Sequence, residues 1–367
     1  MFCIVNWVVK TRAAASTVAL LLSACSTSGP VSVPVSGGPA SVPVADAPSP
    51  DAQASPKMLA DQETLRQLVA LQDRLYKIAA PLLINNVALC KKQARNLLGF
   101  TAKNKYSYPG DYAETAQSAL GYGDRLQVSG ILAGSGAARV GLRKGDGLIA
   151  AEGKNLPIGP HAESDAAAIF GPLISKRATL NMTIARGNEQ QVLMVPVTRA
   201  CAIGVDLGNA DHVNSYADGQ RVMITRGMIN FAQTDQAIAY VMARGMAHNI
   251  LGHTQAQRSS ATIGSIIDNL ANVRPDRSML IGSGGMKAMP QELDSAADRL
   301  ALYLLARAGY DIDHAKAFWQ RLASQYPATV LNGYTANHPG TAARIAVIAK
   351  TRGEIKAKQS AKHALLP

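Results

Sequence analysis

Long apolar runs, charge and cysteine are all scarce in this 367-residue sequence. The apolar stretch from Ala13 to Leu22 is too short for a permanent membrane span, which needs about 20 residues. Charged residues make up 17% against 47% hydrophobic, which excludes a chain that stays disordered for want of apolar material. At this length a single core has stopped growing, so two folded units with accessory segments are expected. Lys and Arg outnumber acids 37 to 25, a formal net charge of +12. Such a surface is drawn weakly to anionic lipid or envelope polymers, and salt screens the attraction. No nucleic-acid motif accompanies the charge, and nucleic acid is not an expected partner.

Lys10 and Arg12, the short apolar run and then Leu22-Ser23-Ala24-Cys25 have the layout of a secretory signal. The segment resembles a lipobox. That resemblance implies removal of residues 1–24 and acylation of Cys25, with enough acyl chains for a stable membrane anchor. Ser26 after the cysteine favours, by analogy with lipoprotein sorting, the periplasmic face of the outer membrane. Residues 25–57 are rich in Pro, Ser and Ala and read as a flexible tether. With Cys3 lost in the signal and Cys25 lipidated, Cys90 and Cys201 remain. An oxidising periplasm is expected to pair them, clamping the start of the central module to its end; two free buried thiols are the alternative.

Leu65, Leu68, Leu71, Leu75 and Ile78 recur at three- and four-residue spacing, which predicts a helix from about Lys57 to Ala80. From 116 to 200 the texture changes to short strands and glycine turns. Leu126–Val128, Ile131–Leu132, Thr179–Ile184 and Gln191–Val197 read as strands. The run Gly134 to Ile149 places Ala137 and Ala138 where a short helix must sit close to a sheet, and Gly141 and Gly145 where turns need positive φ. This stretch resembles a bacterial PDZ domain. The resemblance implies a peptide bound as an added strand, its terminal carboxylate captured by Leu120-Gly121-Tyr122-Gly123; a packing or gating module is the alternative. Beyond Cys201 the chain reads as mostly helical after a hairpin, Asn214 to Ile224, that turns at Asp218-Gly219. Helices are predicted at Asp235–His253, Leu293–Ala308, Ile312–Ser324 and Thr341–Thr351, with residues 353–367 as a basic tail.

Four motifs in order resemble the gluzincin metallopeptidases that include HtpX and the CAAX prenyl-protein protease. Asn214-Ser215-Tyr216-Ala217 matches the edge strand on which substrate lies. Arg244 to His253, RGMAHNILGH, matches the HExxH helix. Asp294 to Leu300, with Tyr303 and Ala308-Gly309-Tyr310-Asp311, matches the helix of the third zinc ligand, and His338-Pro339 with Arg344 matches a downstream motif. The implied fold class is α+β. It comprises a mainly helical metallopeptidase-like domain (residues 58–115 and 201–352) with a small edge sheet, interrupted by a β-rich PDZ-like domain at 116–200.

The departures from the family pattern carry the functional expectation. HExxH works because two imidazoles at i and i+4 share a helical face and the Glu polarises zinc-bound water. Arg244 stands at the first His and Gly245 at the Glu, leaving His248. A guanidinium has no lone pair to offer and repels a dication. Asp294 and Asp298 take the places of the third ligand and its supporting carboxylate, with Asp298 able to accept from His248. An Arg244–Asp294 ion pair is expected to replace the metal, and no catalytic residue and no bound zinc, the family's cofactor, are expected. Any residual metal site would use His248, Asp294 and His338. His253, five residues after His248, reads as a helix-end or packing histidine. The expected function is a pseudopeptidase that binds polypeptide segments or envelope proteins. The alternatives are an atypical metalloendopeptidase and a structural envelope scaffold.

Overall fold

The structure is a computed structural model that describes residues 55–256, 260–275, 288–329 and 331–367. The expected signal, Cys25 and nearly all of the tether lie outside the described residues. The first helix, Pro56–Ile84, buries Leu65, Leu75, Ile78 and Leu82, so the apolar stripe read from the sequence is the face it packs.

The central module hangs from a two-stranded neck. Strand β1 (Ala94–Leu97) leaves the body and pairs antiparallel with β8 (Thr198–Cys201), which returns, Ala94 lying opposite Cys201. Cys90 and Cys201 form a disulfide with Cα atoms 5.6 Å apart. Inside the neck, β2 (Phe100–Lys103), β3 (Gln127–Ile131), β4 (Gly147–Ala151), β6 (Thr179–Arg186) and β7 (Glu189–Pro196) form a sheet in the order β2-β3-β4-β6-β7, with the short β5 (Lys154–Asn155) beside β4. The Ala162–Lys176 helix covers one face, and Val128, Leu148, Phe170, Leu180 and Ile184 make a core separate from that of the body.

The module differs from the sequence reading in two respects. Its sheet begins at Phe100, ahead of the expected boundary at 116, because β2 is a four-residue strand with no alternating burial to betray it. The Leu120–Gly123 segment ends the Ala113–Leu120 helix, with Gly121 as left-handed cap and Tyr122 buried against Tyr108. It leads into β3, which β2 and β4 flank on both sides, so no free backbone edge is available there to a peptide. Among the described residues, the free edges of this sheet are β2 and β7.

In the body, β9 (Gly204–Gly208) runs parallel to β11 (Arg221–Thr225), and β10 (Ser215–Ala217) pairs antiparallel with β11 on its other side. The Asp235–Leu251 helix lies against β10 and β11 and also packs on the Gln291–Arg307 helix; it is buried along most of its length. The last helix, Ala342–Ser360, continues well past the expected end at Thr351. Ile348, Thr351 and Ile355 extend its buried stripe, and Leu365 returns to the core, so residues 353–367 are no loose tail.

Candidate functional site

Thr234 starts the Asp235–Leu251 helix by accepting from the Ala237 N–H, and Gly252 ends it with φ +73°. Between these caps Arg244 and His248 stand one turn apart. The facing helix presents Asp294 and Asp298, also one turn apart. All four are buried, Arg244 to 2% exposure.

Arg244 is fully engaged. Its Nη2 donates to Asp294 Oδ1 at 2.7 Å, its Nε to Asp298 Oδ1 at 2.8 Å and its Nη1 to the Tyr334 hydroxyl at 2.9 Å. The guanidinium lies 5.5 Å from the Trp319 ring centroid, and Trp319 stacks on Tyr334. Arg344 reaches Asp298 from the other side, with Nε to Oδ2 at 2.7 Å and Nη2 to Oδ1 at 3.0 Å. Two guanidiniums therefore meet two carboxylates, and the cluster is neutral within itself.

The electrostatics follow from that balance. Burial opposes the charge on Arg244, but Tyr334, Asp298 and Asp294 hold it protonated, above the ordinary guanidinium value. Burial also opposes ionisation of Asp294, yet Arg244, His338 and Arg344 outweigh it and hold the carboxyl at about 2. Burial and Arg244 push His338 down to about 4 and His248 well below the ordinary imidazole range, so both rings are neutral near pH 7. A neutral His338 uses both nitrogens: Nδ1–H donates to Asp294 Oδ1 at 2.8 Å, and Nε2 accepts from Asn337 Nδ2 at 3.0 Å.

Acid should therefore weaken the fold in two windows. His338 has a folded value of about 4 against an ordinary 6.5, so the unfolded chain takes its proton first and stability falls from pH 6.5 towards 4. Asp294, about 2 against 3.8, removes a further share between 3.8 and 2. The His338 share is of the order of 3 kcal/mol and the Asp294 share of the order of 2 kcal/mol. Asp206, pushed up to about 6, acts in the opposite sense over the first window, so the urea midpoint is followed from pH 7.5 downward in an Asp206→Asn background; a midpoint that stays flat to pH 4 there contradicts the His338 assignment.

His248, Asp294 and His338 offer ligand atoms within 4.8 Å of one another, the spacing of a candidate metal site. Arg244 Nη2 nevertheless lies 2.7 Å from Asp294 Oδ1 and 3.3 Å from His338 Nδ1, so a cationic nitrogen already touches two of the three. The donor set does not fit a zinc ion while Arg244 holds this place. Position 245 has closed as well. A Cβ there would lie 2.7 Å from Val222 Cγ1, so strand β11 rests directly on the glycine. Gly245→Glu alone is expected to cost about 1–3 kcal/mol by overpacking, with Val222→Ala in the same chain recovering part of it. Urea melts of the single and double variants measure both, and a neutral Gly245→Glu would contradict the close contact.

Among the described residues, strand β10 is the free edge of its sheet, and it roofs this cluster. Asn214 and Tyr216 turn inward and hydrogen-bond each other at 3.1 Å, while Ser215 and Ala217 stay partly exposed. The space beneath, bounded also by Met289 and Asn337, is about 30 Å³, room for a water or two and not for a side chain.

Several placements differ from the sequence reading. Asp298 serves Arg244 and Arg344 rather than His248, whose Nε2 instead faces Asp294 Oδ1 at 3.5 Å. His253 is buried, with its Nδ1 3.1 Å from His248 Nδ1, and so packs against that ring. Tyr334 and Trp319 were not singled out; the signal available for Tyr334 was its position four residues before His338.

Residues 204–352 match the family model "Peptidase family M48". A Vibrio cholerae protein named as a beta-barrel assembly-enhancing protease is 30% identical over 131 residues, 31% of this chain and 27% of that protein. The mitochondrial metalloendopeptidase OMA1 of Schizosaccharomyces pombe is 24% identical over 147 residues, 38% of this chain and 44% of that protein. The chain thus spans less than half the length of either relative. Among solved structures, an HtrA3 PDZ domain bound to a phage-derived ligand aligns with 29% of this chain and 88% of its own, at 15% identity. Its TM-score of 0.23 is too low to carry an argument. The M48-like span holds β9, the β10–β11 hairpin and the whole Arg244 cluster.

Proposed function

We propose that this chain is a pseudopeptidase: an exported lipoprotein, anchored through Cys25 at the periplasmic face of the outer membrane, whose M48-like domain has lost catalysis and binds polypeptide. The supporting observation is Arg244, whose guanidinium replaces a zinc ligand and is tied to Asp294, Asp298 and Tyr334. Without a base at 245 a bound water has no general base beside it, so hydrolysis by the M48 route fails even where metal is supplied. No described helix is long and apolar enough to cross a membrane, which is compatible with attachment by lipid.

Polypeptide is held at strand edges in this reading. The small space under β10 argues for backbone pairing along Ser215–Ala217 rather than for side chains entering the old site. In the PDZ-like module, β2 offers its edge, and the glycine turn that directly precedes it is at Gly99 (φ +80°), a better carboxylate cradle than Leu120–Gly123. Envelope proteins or unfolded segments are the partners. Metal analysis of the purified chain with a protein-cleavage assay and a peptide titration tests the proposal. Zinc well below one per chain, no chelator-sensitive cleavage and saturable peptide binding are expected; stoichiometric zinc with chelator-abolished cleavage overturns it. A second reading, a metallopeptidase with an altered ligand set, is favoured by the grouping of His248, Asp294 and His338 and predicts that last result.

A further inference from the structure

Between the Pro56–Ile84 helix, strands β2 and β3 of the module and strand β9 of the body lies a cleft of about 290 Å³, against about 30 Å³ under β10. Two opposite charges line it without pairing. Asp206, in β9, is 8% exposed, and its Oδ2 is buried with no hydrogen-bond partner among the described residues. Lys103, the last residue of β2, is partly buried; its Nζ lies 5.0 Å from the Tyr108 ring centroid, with no carboxylate at ion-pair distance among the described residues. The Tyr108 hydroxyl, also facing the cleft, is likewise buried without a hydrogen-bond partner among the described residues, whereas the other carboxylates there are paired. Asp73 pairs with Lys144 at 2.5 Å, and Asp268 with Arg221 at 2.6 Å. Gln72 bridges the β9 backbone around Asp206, accepting from the Leu207 N–H and donating to the Val205 carbonyl.

Burial pushes Asp206 up to about 6 and pushes Lys103 down from the ordinary ammonium value, so both charges are held at a cost to the fold. Charges that bury without pairing add nothing to stability, whereas a cleft with a few convergent polar groups and perturbed titration is what a ligand site looks like. Leu65, Leu68 and Tyr122 add apolar lining.

We propose that this cleft binds a small zwitterion of dipeptide size, with its ammonium on Asp206, its carboxylate on Lys103 and an apolar side chain against Leu65 and Leu68. The site is separate from the Arg244 cluster and does not depend on the reading of that cluster. Isothermal titration of the full chain with leucyl-alanine at neutral pH tests it. Saturable binding is expected, weakened at least about tenfold by acetylating the amine or amidating the carboxylate. Asp206→Asn should weaken leucyl-alanine equally yet leave acetyl-leucyl-alanine unchanged, and Lys103→Met should do the same for the free and amidated forms. Because Asp206→Asn removes a buried unpaired charge, its urea midpoint at neutral pH should rise, which separates lost binding from lost folding. No saturable binding at millimolar dipeptide overturns the proposal, as does a folded Asp206→Asn variant that binds leucyl-alanine like the parent, or equal binding of the capped forms.

Discussion

Arg244→Ala is expected to lower unfolding stability by about 3–5 kcal/mol, the scale on which stranding one side of a buried ion pair acts. Asp294 loses its 2.7 Å donor, Asp298 keeps only Arg344, and Tyr334 loses the cation against its hydroxyl. The buried carboxylates then repel each other, and the Asp235–Leu251 and Gln291–Arg307 helices lose their polar tie. Arg244→Met keeps more of the packing and should recover only part of the loss, since the missing charge dominates. Arg244→His is the informative variant. It restores a neutral imidazole one turn before His248, so added zinc should raise its melting temperature by mass action, and by more than in Arg244→Ala, which frees only His248, Asp294 and His338 as ligands. Peptide cleavage should stay absent in Arg244→His, because Gly245 still supplies no base. A loss below about 1 kcal/mol for Arg244→Ala would mean that solvent or a neighbour compensates Asp294 and Asp298, and the account of a substituted metal would fall.

Replacing both Cys90 and Cys201 with serine is expected to cost about 2–5 kcal/mol, and closure of a loop of this length puts the entropic ceiling near 4.7 kcal/mol. The bridge spans 111 residues and joins the start of the module to its end, beside the β1–β8 neck. The loss should be local first. Amide exchange should speed up in Ala94–Leu97 and Thr198–Cys201 before it does in the Arg244 cluster, which sits on other elements. The parent treated with reductant should behave like the double variant. Indistinguishable melting of reduced and oxidised protein would show that the paired neck strands hold the module without the bridge.

What could be read beforehand divides along a physical line. The stripe Leu65–Ile78, the four-residue spacing of Arg244 and His248 and that of Asp294 and Asp298 are properties of single helices, and helical geometry alone says which residues share a face. The incompatibility of Arg244 with zinc is likewise chemistry of one side chain, legible wherever it lies. The edge strand β2 was illegible because four residues show no usable period, and so the module was begun too late and its peptide loop placed beside an inner strand. Residues 353–367 were misjudged by charge, although Ile355 continues the buried stripe of Ile348 and Thr351.

Spacing and residue chemistry by themselves determined which residues share a helical face and that Arg244 cannot ligate a metal; that a metal ligand belongs at 244, and that Cys90 and Cys201 flank an inserted module, is what the resemblance of the motifs implies. Tertiary structure decided the rest: that Tyr334 and Trp319 complete the cage around Arg244, that Val222 closes position 245, and that Asp206 and Lys103 face one cleft unpaired. These contacts join residues far apart in sequence. Local periodicity aims a side chain, but only the packing of one element on another decides what it meets.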